Sequence, residues 1–163
     1  MKHTLARPAD DLEQVMEAYG NMLFRICLVM LGNGSDAEDA LQEVFIKYYS
    51  KAPAFTEEEH KKAWLITVAS NQCRDMLRYR NKHPLAEDTD IYAYKTDDSK
   101  NSGILDALMT LPEKFRLVLV LHYVEEYPVQ DIARMIGRTP SAVKMRLQKG
   151  RKLLKEAYGK EYM

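Results

Sequence analysis

The residues best equipped for chemistry lie near the C-terminal end, in "RTPSAVKMRLQKGRKLLK" (138–155). On a wheel of about 100° per residue, Ser141, Met145, Gln148 and Lys152 share one side, flanked by Lys144, Lys149 and Lys155. Val143, Leu147, Gly150 and Leu154 share the other. The polar side carries no nucleophile motif, so its chemistry is recognition. An amide bonds adenine edges, an ammonium reaches guanine acceptors or phosphates, and a thioether touches a thymine methyl. A solubilising basic helix has the same composition, but cations gathered on the side opposite the apolar stripe favour DNA.

A second wheel of this kind spans about 60–80. Leu65, Ala69, Cys73, Met76 and Leu77 lie toward one side; Thr67, Asn71, Arg74 and Arg78 fall opposite, with Lys61, Lys62 and Arg80 near the ends. Phe55 and Trp64 add aromatic surface beside the preceding loop. Such a face suits an unstacked single strand. A core Trp beneath a solvated polar face explains the same residues more simply, and this helix alone does not separate the two. One helix earlier, Asp39, Gln42, Glu43 and Ile46 recur at i, i+3, i+4 and i+7, opposite the apolar face. That stripe fits a docking surface for a basic protein helix, or equally a solvated face with one stray apolar residue.

Catalytic constellations are missing. His3, His60, His83 and His122 have no zinc spacing, and no phosphate loop or nucleophile motif occurs. The expectation is a non-enzyme without metal or cofactor. Cys27 and Cys73 each sit inside a helical pattern and are expected to be reduced and buried. No apolar run approaches the roughly 20 residues of a membrane span. The N-terminal "MKHTLARPADD" has no apolar signal core, so no membrane insertion and a cytoplasmic location are expected.

The elements that must position these faces are all helical. Leu12, Val15, Met16, Tyr19, Leu23, Ile26, Cys27 and Met30 form the apolar face of a first helix. "GNGS" (32–35) breaks it, and Ser35 or Asp36 is the expected cap of the next. There Ala37, Ala40, Leu41, Val44, Phe45 and Tyr48 form the buried face, ending near Pro53. The helix at about 60–80 completes a unit over 1–80. Residues 81–101 are polar and acidic without sustained period and form a linker, with a short ordered excursion around Ile91, Tyr92 and Tyr94 as the alternative. A second unit, 102–163, starts with "ILDALMTL"; Pro112 opens a helix reaching about Glu126, and Pro128 or Val129 begins the next. Gly137 supplies a sharp turn, Thr139 caps the last helix and Pro140 suits its first position. The outline from 129 to 154 is a helix-turn-helix. The fold class is all-α, two small helical domains joined by an acidic linker.

Basic and acidic side chains balance at 24 each, but they are segregated. Residues 1–60 hold five basic against eleven acidic side chains, and 61–83 six against one. Residues 84–113 hold two against seven, and 129–163 nine against three. Two basic zones separated by an acidic stretch suggest two contacts with a polyanion.

Taken in order, these pieces resemble a bacterial RNA polymerase sigma factor of the sigma-70 family, extracytoplasmic-function (ECF) group. "DAEDALQEVFIKYY" (36–49) is similar to the family's region-two helix that binds the β′ clamp helices of the polymerase. "KAWLITVASNQCRDMLR" (62–78) resembles the stretch that melts and reads the −10 element. "LPEKFRLVLVLHYVEEYPVQDIARMIGRTPSAVKMRLQKGRKLL" (111–154) resembles the region-four domain that binds the −35 element and the β flap. The resemblance implies polymerase contacts at Asp39, Gln42, Glu43 and Ile46. It implies −10 contacts by Phe55, Lys61, Lys62, Trp64, Thr67, Asn71, Arg74 and Arg78. It implies −35 contacts by Thr139, Ser141, Lys144, Met145, Gln148, Lys149 and Lys152. Arg146 aligns with a common family Arg although its wheel angle lies nearer the core, implying a phosphate or internal role. Core polymerase and promoter DNA are the implied partners, with an anti-sigma protein as a family-level possibility.

The chain departs from the family where "FTEEEH" lacks an Arg-Gly-Asp-like sequence, where Met145 replaces a common Ser, and where Lys149-Gly150 replaces Arg-Ala. Its base preferences are therefore its own. Three competing classes make different demands. An autonomous helix-turn-helix regulator requires a palindromic site and polymerase-independent binding. A nuclease requires clustered acids or a His pair beside the basic face. A helical adaptor that only binds polymerase would keep its activity without the basic helix.

Overall fold

The computed structural model describes residues 9–83 and 102–162, and the linker expected at 81–101 lies almost wholly outside them. The order is α1 (Ala9–Leu31), α2 (Gly34–Lys51), α3 (Glu58–Lys82), α4 (Ser102–Met109), α5 (Glu113–Leu119), a π-helical turn (Val120–Val124), α6 (Val129–Ile136) and α7 (Pro140–Tyr162). No strand occurs among the described residues.

The first group, α1 to α3, closes around Leu23, Ile26, Val44, Tyr48, Leu65 and Cys73, all fully buried. Tyr48 remains satisfied there because its hydroxyl donates to Asp11 Oδ2 at 2.8 Å. Cys27 and Cys73 are free and buried, in hydrogen-bond contact, and this contact together with burial pushes the Cys73 thiol up. Two details differ from the sequence expectation. The cap of α2 is Asn33, whose side chain accepts from the Asp36 N–H at 2.8 Å, and not Ser35 or Asp36. Gly32, with φ +84°, ends α1 early enough for Asn33 to turn the chain. Met16, expected in the apolar face, is 46% exposed; it opens onto a groove described below.

In the second group α4, α5 and α6 all pack on α7. The helix opened by Pro112 does not continue regularly to Glu126. It widens into the π turn, with the Glu125 N–H bonded to the Val120 carbonyl at 3.0 Å. Glu126 then takes φ +62° and stops it. Tyr127 is thereby swung inward, its N–H bonded to the Leu121 carbonyl at 2.9 Å.

The two groups share one hydrophobic core; α1 meets α5 and α3 meets α6. The Arg116 guanidinium of α5 crosses the junction. Its Nη2 donates to the Met30 carbonyl at 2.8 Å and its Nε to that of Val29, so it covers carbonyls that α1 leaves open at its C-terminal end. It also donates to the Leu111 carbonyl. Arg25 of α1 pairs with Glu125 at 3.0 Å.

Candidate nucleic-acid and polymerase interfaces

The last two helices meet through backbone chemistry. Gly137 takes φ +69°, and the Arg138 N–H closes α6 on the Ala133 carbonyl at 2.9 Å. Thr139 Oγ1 then accepts from the Ala142 N–H at 3.1 Å, capping α7 as expected. Val143 and Leu147 face the core. Gly150 is buried on the same stripe, where an added Cβ would lie 3.2 Å from Leu119 Cδ1. The close approach of α5 to α7 is what that glycine allows.

With the inner stripe fixed, the outer one is open. Thr139, Ser141, Lys144, Met145, Gln148, Lys149 and Lys152 are all exposed, Met145 by 70%. Met145, Gln148, Lys149 and Lys152 line a surface depression together with Arg146, Lys114 and Phe115. Lys114 and Lys149 both stand over the Phe115 ring, at 5.2 and 6.0 Å from its centroid. The sequence reading missed Lys114, whose position in the first turn of α5 has no periodic tie to α7. Arg146 is half-buried, in keeping with its wheel angle.

The α3 face is arranged differently. Trp64 is half-buried, edge-on to Phe55 at 6.0 Å and to Tyr48 at 6.2 Å. It belongs to the rim of the core as well as to the polar face. The Thr67 hydroxyl is held by the Ala63 carbonyl at 2.9 Å. Phe55, Trp64 and Thr67 line one wall of a cleft of about 600 Å³; Tyr127, Asp131, Arg134 and Met135 line the opposite wall. Lys62 stands over the Tyr127 ring at 5.2 Å, and Lys61 lies 3.2 Å from Glu58. Asn71 is exposed and accepts from Arg74 at 3.0 Å. Arg78 pairs with Asp75. The structure therefore gathers the aromatic part of this set, while α6 stands across from it.

On α2, Asp39, Gln42, Glu43 and Ile46 are all exposed, Ile46 by 52%. Gln42 and Ile46, with Glu38, border an apolar groove between α1 and α2 lined by Leu12, Met16, Leu41, Phe45 and Tyr49. The stray apolar residue of the sequence reading is the edge of a patch. Met16 and Tyr49 extend it, and an exposed apolar patch rimmed by charge is a common form of protein interface. No helix among the described residues is long and apolar enough to cross a membrane.

The family model for sigma-70 region 2 matches residues 15–83, and that for sigma-70 region 4 matches 102–154. The chain is 27% identical to the ECF RNA polymerase sigma factor SigW of Bacillus subtilis, over 90% of this chain and 88% of that protein. It is 31% identical to the RNA polymerase sigma factor CarQ of Myxococcus xanthus, over 80% of this chain and 79% of that protein. Among solved structures it resembles in fold the sigma factor RpoE of Bartonella quintana, determined with the anti-sigma factor NepR. That match has a TM-score of 0.76 and 22% identity, covering 90% of this chain and 96% of that one. Sigma factors are generally not enzymes. With both regions matched in order and relatives aligned over most of their length, the chain belongs to the ECF group of the sigma-70 family and is a promoter-recognition subunit of RNA polymerase.

Proposed function

We propose that this sigma factor divides its work among three surfaces and carries out no chemistry of its own. The outer side of α7 reads the −35 element, with Gln148 and Lys144 on base edges and Lys149 and Lys152 on phosphates. Phe55, Trp64 and Asn71 capture the melted −10 strand, with Lys61, Lys62, Arg74 and Arg78 on its backbone and Thr67 beside the bases. Asp39, Gln42, Glu43 and Ile46 dock on the polymerase. One region spans 1–80 and the other 102–163, with 81–101 between them, and the protein works in the cytoplasm where polymerase and promoter meet. The observation that carries this reading is the division of α7: its inner stripe is buried to within a few per cent at Val143 and Leu147, while every residue assigned to the −35 element is exposed.

A protein antagonist is part of the proposal. The similarly folded sigma factor of Bartonella quintana was determined with its anti-sigma factor, and a partner of that class would compete for the surfaces assigned to polymerase. Transcription in vitro with purified core polymerase tests the reading. Initiation should require this chain and paired −35 and −10 elements. The exposed Asp39→Arg/Glu43→Lys double variant should stay folded and lose polymerase binding by about 30-fold or more, since charge reversal at an interface costs several kcal/mol. Tight, palindrome-dependent DNA binding without polymerase would instead mark an autonomous regulator.

A further inference from the structure

The concave surface beside α7 is not built by α7 alone. Lys114 and Phe115, in the first turn of α5, line the same depression as Met145, Gln148, Lys149 and Lys152. With Arg146 its walls carry four cations, and no carboxylate lines it. Glu113, next to Lys114 in the chain, is half-buried and forms no part of that surface. Lys114, Lys149 and Lys152 are exposed, and none has a carboxylate partner among the described residues.

Local packing explains how a residue of α5 arrives there. Phe115 is buried, and its ring serves two ammonium groups, Lys114 at 5.2 Å and Lys149 at 6.0 Å from the centroid. Attraction to a ring face is modest at an exposed site, but it biases two long side chains toward one spot. The helices lie close because position 150 is Gly. An added Cβ there would stand 3.2 Å from Leu119 Cδ1 and 3.5 Å from Phe115 Cβ. Gly150 thus brings the first turn of α5 against the helix that presents Gln148.

Two like charges over one ring repel each other, and an anion between them relieves that. The depression is continuous with the exposed side of α7, so a duplex seated on α7 runs past Lys114. When a reading helix lies in the major groove, the elements flanking it meet the backbone that borders the groove. A lysine acts there as a point charge and needs no fixed fork geometry.

We propose that Lys114 is a DNA-backbone contact at the −35 element, so that the first turn of α5 holds one phosphate strand while α7 reads the bases beside it. This rests on the assignment of the outer side of α7 to that element, and it adds a second helix to the interface.

The experiment titrates the full chain, in complex with core polymerase, onto a duplex that carries a −35 element and no −10 element, over a series of sodium chloride concentrations. The slope of log K against log salt counts neutralised phosphates, at roughly 0.9 per contact on duplex DNA. Lys114→Ala should make the slope shallower by about one and weaken binding alike for every −35 sequence in a library. Lys114→Arg keeps the charge and should keep the slope. Lys51→Ala, exposed at the end of α2, should change neither slope nor affinity. Gln148→Ala should shift sequence preference and leave the slope as it is. A merely structural role for Lys114 would not move the slope. An unchanged slope in Lys114→Ala, with Gln148→Ala still shifting preference, would overturn the contact and leave the −35 reading standing. An equal fall in Lys51→Ala or Lys114→Arg, or a Lys114→Ala effect confined to one base position, would also overturn it. No shift of preference in Gln148→Ala would remove the −35 reading and this contact with it.

Discussion

The outer side of α7 and the polar side of α3 are built from the same kinds of residue, Lys, Arg, an amide and neighbouring apolar surface, yet only one of them is open. On α7 a single buried stripe leaves every candidate DNA contact exposed. On α3 the aromatic part of the face lines a cleft against Tyr127, Asp131 and Met135, and Arg74 is half-buried. A wheel identifies which side of a helix is polar. It does not identify what stands opposite that side. In a chain of two groups, availability is set by the contact between them.

The strongest way to break this contrast is Arg116→Ala. It removes the side-chain donor to the Val29, Met30 and Leu111 carbonyls at the junction, and burial already lowers the proton affinity of this arginine. Hydrogen bonds from a charged group contribute ~1.5–3 kcal/mol each and are not additive here, so a loss of ~3–5 kcal/mol is expected in urea unfolding. If the variant still folds at low temperature, it should bind single-stranded DNA better than the parent, because α6 no longer holds its place over α3. Unchanged stability together with unchanged binding would mean that the cover does not depend on this residue.

Gln148→Ala addresses the open face alone. Loss of one base contact should remove ~1–3 kcal/mol of discrimination at one −35 position, read from a promoter library with polymerase present. An equal loss at every position would make Gln148 a phosphate contact. Thr139→Ala, which deletes the cap of α7, should lower stability by ~1 kcal/mol in the same urea assay, with −35 sequence preference unchanged. A change of preference would place the Thr139 hydroxyl on a base edge rather than on the cap and the DNA backbone.

Tyr127→Phe has the smallest expected effect and the opposite sign. The Tyr127 hydroxyl is buried without a hydrogen-bond partner, so removing it should leave stability unchanged or raise it by up to about 1 kcal/mol. It should also alter the alkaline limb. Burial, then Glu59 and other acids, push the Tyr127 proton affinity up. Burial, then Glu58, push the Tyr19 pKa up to about 12. A tyrosine raised in the folded state contributes stability that is present below its ordinary pKa near 10 and is lost as pH rises above it. Stability measured between pH 9 and 11 should therefore fall less steeply in Tyr127→Phe. An identical slope would remove Tyr127 from this account.

What was legible in the sequence was whatever depended on neighbours within a turn or two. The inward run Val143, Leu147, Gly150, the Thr139 cap and the Gly137 turn all follow from local spacing. Asn33 was missed because Ser, Asp and Asn are all competent caps, and the choice among them was set by where Gly32 stops α1. The π turn at Val120–Val124 lies in a nearly continuous apolar run, "LVLVLHYV", which carries no periodicity that could distinguish an α from a π geometry. Met16 was assigned inward because it fits the stripe of α1; the groove it borders depends on α2, a separate helix. Arg116 could not be read at all, since its Val29 and Met30 partners lie 87 and 86 residues away.

The Arg116 bridge also has a history on the ribosome. Synthesis runs from α1 toward α7, so α1, α2 and α3 emerge before the residues that cover them. About fifty residues separate the end of α3 from the end of α6. At ordinary elongation rates that is an interval of roughly three to ten seconds. Until Arg116 emerges the carbonyls at the end of α1 are bonded to water, and until α6 follows the cleft wall at Trp64 has no helix opposite. The nascent half-protein is thus more accessible than the finished one, and the emergence of α6 is what first closes it.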